Sequence, residues 1–169
     1  MKPLFAVTLA LIALGCAPTP PPATPAPIAS PPPPGTLRLV GMTDGQDAIL
    51  IEGAQGGFHV WMQYAVRDVA GSVTLERTAH RQGDGAIVLR YRGQVDVGAP
   101  DADGWWTAPA AIPMFMCPSP IGLSVVDVPI EFELRMLGDA DVELARAAIT
   151  LVPRCPDGQR DFCTRICTG

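Results

Sequence analysis

The sequence has 169 residues, of which 48% are hydrophobic and 17% charged, with 19 prolines, 17 glycines and five cysteines. The only lysine is Lys2, so the chain from Cys16 onward carries eleven arginines and seventeen acidic residues, a net charge of −6. Binding to nucleic-acid phosphates needs a basic surface. We therefore expect no nucleic acid among the partners of this protein.

Residues 1–15 are typical of an export signal. Met1 and Lys2 precede an apolar run over residues 4–14, which is too short to cross a bilayer because a spanning helix needs about 20 residues. Residues 13–16, Ala-Leu-Gly-Cys, resemble a bacterial lipobox. The resemblance implies cleavage before Cys16 and acylation of its thiol and amine, for example by palmitate. An ordinary signal peptide with an unmodified cysteine is the alternative.

Residues 16–35 are expected to form the lipidated cysteine and a proline-rich linker. Ten of the eighteen residues from 17 to 34 are proline, which favours an extended spacer, and at about 3.1 Å per residue it would reach roughly 55 Å. A proline-rich ligand for a partner module is the alternative. Ala17 and Pro18 lack the aspartate that resembles an inner-membrane retention mark in enteric bacteria, so the outer membrane is the expected location.

Residues 36–154 alternate between apolar and polar side chains almost throughout, which predicts an all-β domain followed by a cysteine-bearing tail at 155–169. The alternation is clearest over residues 126–136, where Pro129 indicates an edge strand or a bulge. About eight strands without a crossover helix favour an antiparallel β-sandwich, with a small closed barrel as the runner-up. The predicted strands cover residues 37–42, 48–51, 58–69, 73–80, 86–97, 110–117, 126–136 and 142–152.

Residues 56–61, Gly-Gly-Phe-His-Val-Trp, place His59 and Trp61 together on the outer face of a predicted strand. The favoured interpretation is structural, with the glycine pair forming a turn and Trp61 covering the sheet. The alternative is a small site for a metal or a ring-shaped ligand. One histidine without a second ligand at fixed spacing does not define a metal site, and His80 belongs to another strand.

The segment Gln55–Trp61, Q-G-G-F-H-V-W, together with the cysteine-bearing tail, resembles uncharacterised bacterial lipoproteins that share a Q-G-G-x-H-x-W segment. The resemblance implies an immunoglobulin-like β-sandwich. It implies no activity.

Three further features are candidate ligand sites, for calcium, sugar rings and copper. Residues 101–106, D-A-D-G-W-W, predict a turn, with calcium as the alternative, because most EF-hand ligands are missing. Trp105 and Trp106 would form a stacking platform for sugar rings if both face outward, and a candidate ligand face comprises His59, Trp61, Trp105 and Trp106. Met114 and Met116 offer sulfur ligands for copper, although their alternation fits a core face better.

Four cysteines remain besides Cys16, and an even set in an exported chain predicts disulfides. They are Cys117, Cys155, Cys163 and Cys167. Cys117 must then join one of the three tail cysteines, and all three connectivities remain open; zinc is the minor alternative because no C-x-x-C pair occurs.

No catalytic motif or cofactor-binding motif is present, so we expect neither an enzyme nor a cofactor. The favoured function is an envelope-anchored lipoprotein that binds a protein or glycan or has a structural role. The alternative is a copper-type, metal-handling lipoprotein that uses His59 with Met114, Met116 or His80.

Overall fold

The computed structural model describes residues 33–54, 56–119 and 122–168, without the side chains of Phe115 and Met116. The expected signal peptide at 1–15 and all but the last three residues of the linker lie outside the described residues. The described part of the chain contains no helix that is long and apolar enough to cross a membrane.

The described residues form ten strands in two five-stranded sheets, which confirms the expectation of an all-β domain. The first sheet comprises β1 (Thr36–Val40), β3 (Ile51–Glu52), β4 (Phe58–Arg67), β7 (Trp106–Thr107) and β8 (Ile112–Met116). The second comprises β2 (Asp47–Ile49), β5 (Gly71–Arg81), β6 (Ile87–Val97), β9 (Ile130–Leu137) and β10 (Glu143–Arg154). One helix, α1 (Arg160–Cys167), follows β10.

Strand β4 organises the first sheet, because each of the other four strands pairs antiparallel with it. Strands β3 and β8 pair with its first half, and β1 and β7 with its second half. A side chain at the start of β4 therefore has different neighbouring strands from one at its end.

The second sheet has the order β2-β10-β9-β5-β6. Its pairings are antiparallel except for β2 with β10, which is parallel. The chain changes sheets at Leu50, which is fully buried and whose N–H donates to the carbonyl of Arg154 at 2.8 Å. Among the described strands β6 pairs only with β5, so this sheet ends in an open edge rather than closing into a barrel.

Strand β9 lies inside the second sheet, between β10 and β5, and its pairing has no register shift at its start, so the expectation of an edge strand or a bulge at Pro129 is wrong. That expectation rested on Pro129, which cannot donate to a neighbouring strand. Pro129 lies just before the first residue of β9, and its carbonyl accepts a hydrogen bond from the backbone N–H of Gln82 at 2.9 Å. The missing donor therefore removes no hydrogen bond between strands.

The core lies between the two sheets and is built from the apolar sides of the alternating strands. In each of β4 and β9, every second side chain is inward and almost completely buried, as the alternation predicts. These side chains are Phe58, Val60, Met62, Tyr64 and Val66 from β4 and Ile130, Phe132, Leu134 and Met136 from β9.

Two disulfides hold the C-terminal tail against the domain, which confirms the expectation of disulfide bonds. Cys117 pairs with Cys167, and Cys155 pairs with Cys163. The backbone of Cys167 is held as well, because its carbonyl accepts hydrogen bonds from the N–H of Val125 at 3.3 Å and the hydroxyl of Ser119 at 3.4 Å. The tail is thus an ordered part of the domain.

Candidate functional site

His59 and Trp61 lie on the outer face of β4, next to β3 and β8. Their ring centroids are 5.8 Å apart, and Trp61 is 37% exposed. A Cβ at Gly53 would collide with the Nε2 atom of His59, and a Cβ at Gly57 would collide with the backbone carbonyl of Cys117. Gly53 therefore leaves room for the imidazole beside the turn, and Gly57 lets the backbone of Cys117 approach it. The Nδ1 atom of His59 is buried and has no hydrogen-bond partner among the described residues.

The two adjacent tryptophans have different surroundings. The ring of Trp105 contacts two guanidinium groups, that of Arg38 at 4.0 Å from its centroid and that of Arg67 at 5.0 Å. Trp106 is half-buried, pairs with Val66 across the sheet and packs at 6.1 Å against the ring of Tyr64. They do not form one continuous platform.

The four aromatic residues that the sequence proposes as a ligand face do not meet at one point. Trp106 is opposite Val66, whereas His59 and Trp61 lie seven and five positions earlier on β4. At about 3.3 Å per residue these separations are roughly 23 and 17 Å. The His59–Trp61 pair and the Trp105–Trp106 pair are separate features of the domain.

Trp106 lines a cleft of about 320 Å³, which we call the end cleft. The turn between β4 and β5 and the segment between β6 and β7 form its walls. A Cβ at Gly98 would be 2.9 Å from the indole Nε1 of Trp106, so the glycine lets this edge of the indole lie against the backbone. Besides Trp106 and Gly98, the lining includes Val66, Asp68, Val69 and Pro100.

Asp68 supplies the one titratable side chain of the end cleft. Its φ of 62° is in the left-handed region, which aspartate and asparagine tolerate better than most residues. The side chain is 65% exposed, and its only described ion pair is a distant one, with the Nε of Arg67 at 3.7 Å. Its carboxylate is therefore available to accept hydrogen bonds from a ligand, beside an aromatic wall.

Sequence reasoning included Trp106 but missed Asp68 and Gly98. Trp106, Asp68 and Gly98 come from three separate segments of the chain. The alternation of apolar and polar residues does not show which segments are close in space. An aspartate directly after a strand, in "RDVAG", was the available signal, because aspartate is common at turn positions with positive φ.

The segment 101–106 forms a turn, as its favoured interpretation predicts. The Oδ1 atom of Asp101 accepts hydrogen bonds from the backbone N–H groups of Asp103, at 3.0 Å, and Trp105, at 2.9 Å. Gly104 has a φ of 80°, a conformation that glycine adopts without strain. The carboxylate of Asp101 is thus engaged with the loop itself.

Of the residues named for copper, His59 and Met116 are register partners on β4 and β8, whereas Met114 and His80 lie elsewhere. Met114 is fully buried in the core, whereas His59 is on the outer face of the first sheet and His80 is in the second sheet. No group of three or more His, Cys, Asp or Glu side chains in the described ranges is arranged to hold a metal ion.

No protein-family model and no curated protein matches this chain. Among solved structures it is similar to the crystal structure of Bacteroides uniformis beta-glucuronidase, with 12% identity and a TM-score of 0.35 over 69% of this chain. The match spans only 12% of that protein's chain, and at this TM-score it carries no argument about fold or activity.

Proposed function

We propose that this protein is a lipid-anchored envelope domain that binds a glycan in the end cleft and catalyses no reaction. The observation that carries the proposal is the presence of the Trp106 indole and the Asp68 carboxylate in one cleft. An aromatic ring presents an apolar face to the C–H groups of a sugar, and a carboxylate accepts hydrogen bonds from its hydroxyls. Hydrolysis of a glycosidic bond normally needs two carboxyl groups, and Asp68 is the single carboxylate in the lining.

The fold that we propose for this domain is an immunoglobulin-like sandwich. The order of the second sheet matches strands G, F, C and C′ of that fold when β10, β9, β5 and β6 take those positions. Strands β1, β4 and β7–β8 then correspond to A, B and E of the opposite sheet. The loops at the ends of such sandwiches carry the binding sites of variable domains, which supports a binding role for the end cleft.

The anchoring that we propose rests on Cys16 and the residues before it. Acylated Cys16 would hold the protein in the outer membrane, and the proline-rich linker would separate the domain from the lipid. The test is detergent partitioning and membrane fractionation of the wild type and Cys16→Ser. Wild-type protein that is water-soluble and does not begin at Cys16 would contradict this part of the proposal.

Glycan binding is tested by calorimetric titration of the mature protein with neutral oligosaccharides, such as chito-, cello- and maltotriose. We expect at least one of them to bind and Asp68→Asn to weaken this binding about tenfold, because a hydrogen bond to a charged group contributes about 1.5–3 kcal/mol. Asparagine keeps the shape of the side chain and tolerates the left-handed backbone. Trp61→Ala is the control, because Trp61 is an exposed side chain of the same sheet that does not line the cleft. Equal losses in both variants, or no binding of any oligosaccharide, would contradict glycan binding in the end cleft.

A further inference from the structure

A second opening lies where the two sheets face each other near the free edge of β6. Strands β5 and β6 form one wall, and the start of β8 forms the other. The opening has a volume of about 260 Å³, and we call it the Arg77 groove. Its side walls include Leu75, Val95, Ile112 and Pro113, so most of its lining is apolar.

Arg77 is the charged residue of this groove. It occupies an inward position of β5, in the row that also contains Val73, Leu75 and Ala79, all three of which are buried. Its Nη1 donates a hydrogen bond to the carbonyl of Pro113 at 2.6 Å, and its Nε is buried without a partner among the described residues. An arginine is therefore held between the sheets at a position where the alternation predicts an apolar side chain.

The charge of Arg77 is not balanced by an acid within the described part of the chain, where no carboxylate lies within 4.0 Å of it. By contrast, Arg135 on the outer face of the same sheet contacts Glu76 at 2.9 Å and Glu143 at 2.7 Å. Burial lowers the pKa of Arg77, and nearby Tyr91 and Tyr64 oppose this effect. Arginine nevertheless stays protonated at neutral pH, so the groove contains one uncompensated positive charge.

Tyr91 completes the groove. Its ring centroid is 4.0 Å from the guanidinium carbon of Arg77, and half of the residue is exposed. A Cβ at Gly93 would be 2.9 Å from the Cε1 atom of Tyr91, so the glycine provides the space in which the ring lies along the inner side of β6. The stacked ring orients the guanidinium and adds an aromatic surface to the opening.

We propose that the Arg77 groove binds a small molecule with one carboxylate and an apolar body. A guanidinium presents a planar set of donors that matches a carboxylate, and a single positive charge balances a single negative one. The apolar lining would hold the body of the ligand. At about 30 Å³ per water molecule, the groove has the volume of roughly nine waters, which is sufficient for one aromatic acid.

The simpler role for Arg77 is structural, since its hydrogen bond to Pro113 joins the second sheet to the first. This role accounts for one donor of the guanidinium. It does not account for the missing counter-charge or for the opening beside Tyr91. If Arg77 is only structural, a carboxylate and its neutral analogue should bind equally. If Arg77 binds the ligand, the carboxylate should bind more tightly.

The test is an NMR titration of the ¹⁵N-labelled mature protein, in detergent micelles, with benzoate and with benzamide. We expect benzoate to shift the Nε–H signal of Arg77 saturably, and benzamide, which has the same shape without the charge, to bind at least tenfold more weakly. Arg77→Met should weaken benzoate binding at least tenfold. Arg90→Met is the matched control, because Arg90 is an exposed cation of β6 that does not line the groove.

Gly93→Ala keeps Arg77, and we expect it to displace the ring of Tyr91, because its Cβ would be 2.9 Å from the Cε1 atom of that ring. It therefore tests the proposal even if Arg77→Met fails to fold. We expect a several-fold loss of benzoate affinity in this variant. Equal binding of benzoate and benzamide, an equal loss in Arg90→Met, or wild-type affinity in Gly93→Ala would each overturn the proposal. Displacement of benzoate by an equal concentration of inorganic phosphate would overturn the choice of a carboxylate.

Discussion

The two disulfides differ in the length of chain that each one closes, and this difference predicts unequal contributions to stability. Cys117 and Cys167 are 50 residues apart, whereas Cys155 and Cys163 are 8 apart. In the chain-entropy model, closing the longer loop stabilises the folded state by about 4 kcal/mol and closing the shorter one by about 2.5 kcal/mol. All four cysteines are buried, so replacing either pair by alanine removes a similar amount of packing.

The perturbation is therefore a pair of double variants, Cys117→Ala with Cys167→Ala and Cys155→Ala with Cys163→Ala, which serve as controls for each other. In urea, the free energy of unfolding of the Cys117/Cys167 variant should be about 1.5 kcal/mol lower than that of the Cys155/Cys163 variant. At an m-value near 2 kcal/mol/M, its unfolding midpoint should be about 0.7 M lower. Peptide mapping without reduction verifies that the remaining bond is intact. Equal losses, or a larger loss for the short loop, would refute the loop-length reasoning.

Three further predictions concern the core, a turn and the His59 region. Phe132→Ala should lower the free energy of unfolding by about 3–5 kcal/mol, because the ring is fully buried in an interior strand, and a loss near 1 kcal/mol would contradict this. Hydrogen bonds from Arg81 and from the backbone N–H of Ala86 lower the pKa of the Asp84 carboxyl to about 2. Because this folded-state pKa is below the ordinary value of about 3.9, Asp84 should stabilise the domain above pH 4 and lose this contribution as the pH falls toward 2. The difference in stability between the wild type and Asp84→Asn should shrink over the same range, and a constant difference would argue against the pairing. Gly53→Ala should cost about 1–3 kcal/mol because its Cβ meets the imidazole of His59, and adding His59→Ala should recover part of that loss. Additive losses in the double variant would show that the two residues do not conflict.

Alternation predicted the long strands because the inward residues of β4 and β9 recur with the two-residue period of a strand. It did not predict α1, whose eight residues are too few for a helical pattern to be distinguished from an irregular tail. It also did not predict the contact of Asp68 with the cleft of Trp106, because the register between strands decides which distant residues meet. Sequence reasoning also missed Arg77, which shares the alternating row of Val73, Leu75 and Ala79, because alternation does not show whether an acid faces a charged residue.

The connectivity of the cysteines has a consequence for oxidative folding if the chain is exported as proposed. Translocation proceeds from the N-terminus, so Cys117 would emerge first, then Cys155, then Cys163 and finally Cys167. An oxidant that joins cysteines in their order of emergence would link Cys117 to Cys155, whereas the structure pairs Cys117 with Cys167 around the Cys155–Cys163 bond. The nested bonds then require either that Cys117 stays reduced until the tail has crossed, or that a thiolate attacks the first disulfide and exchanges it. Correct maturation of this protein would therefore depend either on late oxidation of Cys117 or, if Cys117 is oxidised early, on a disulfide isomerase in its compartment.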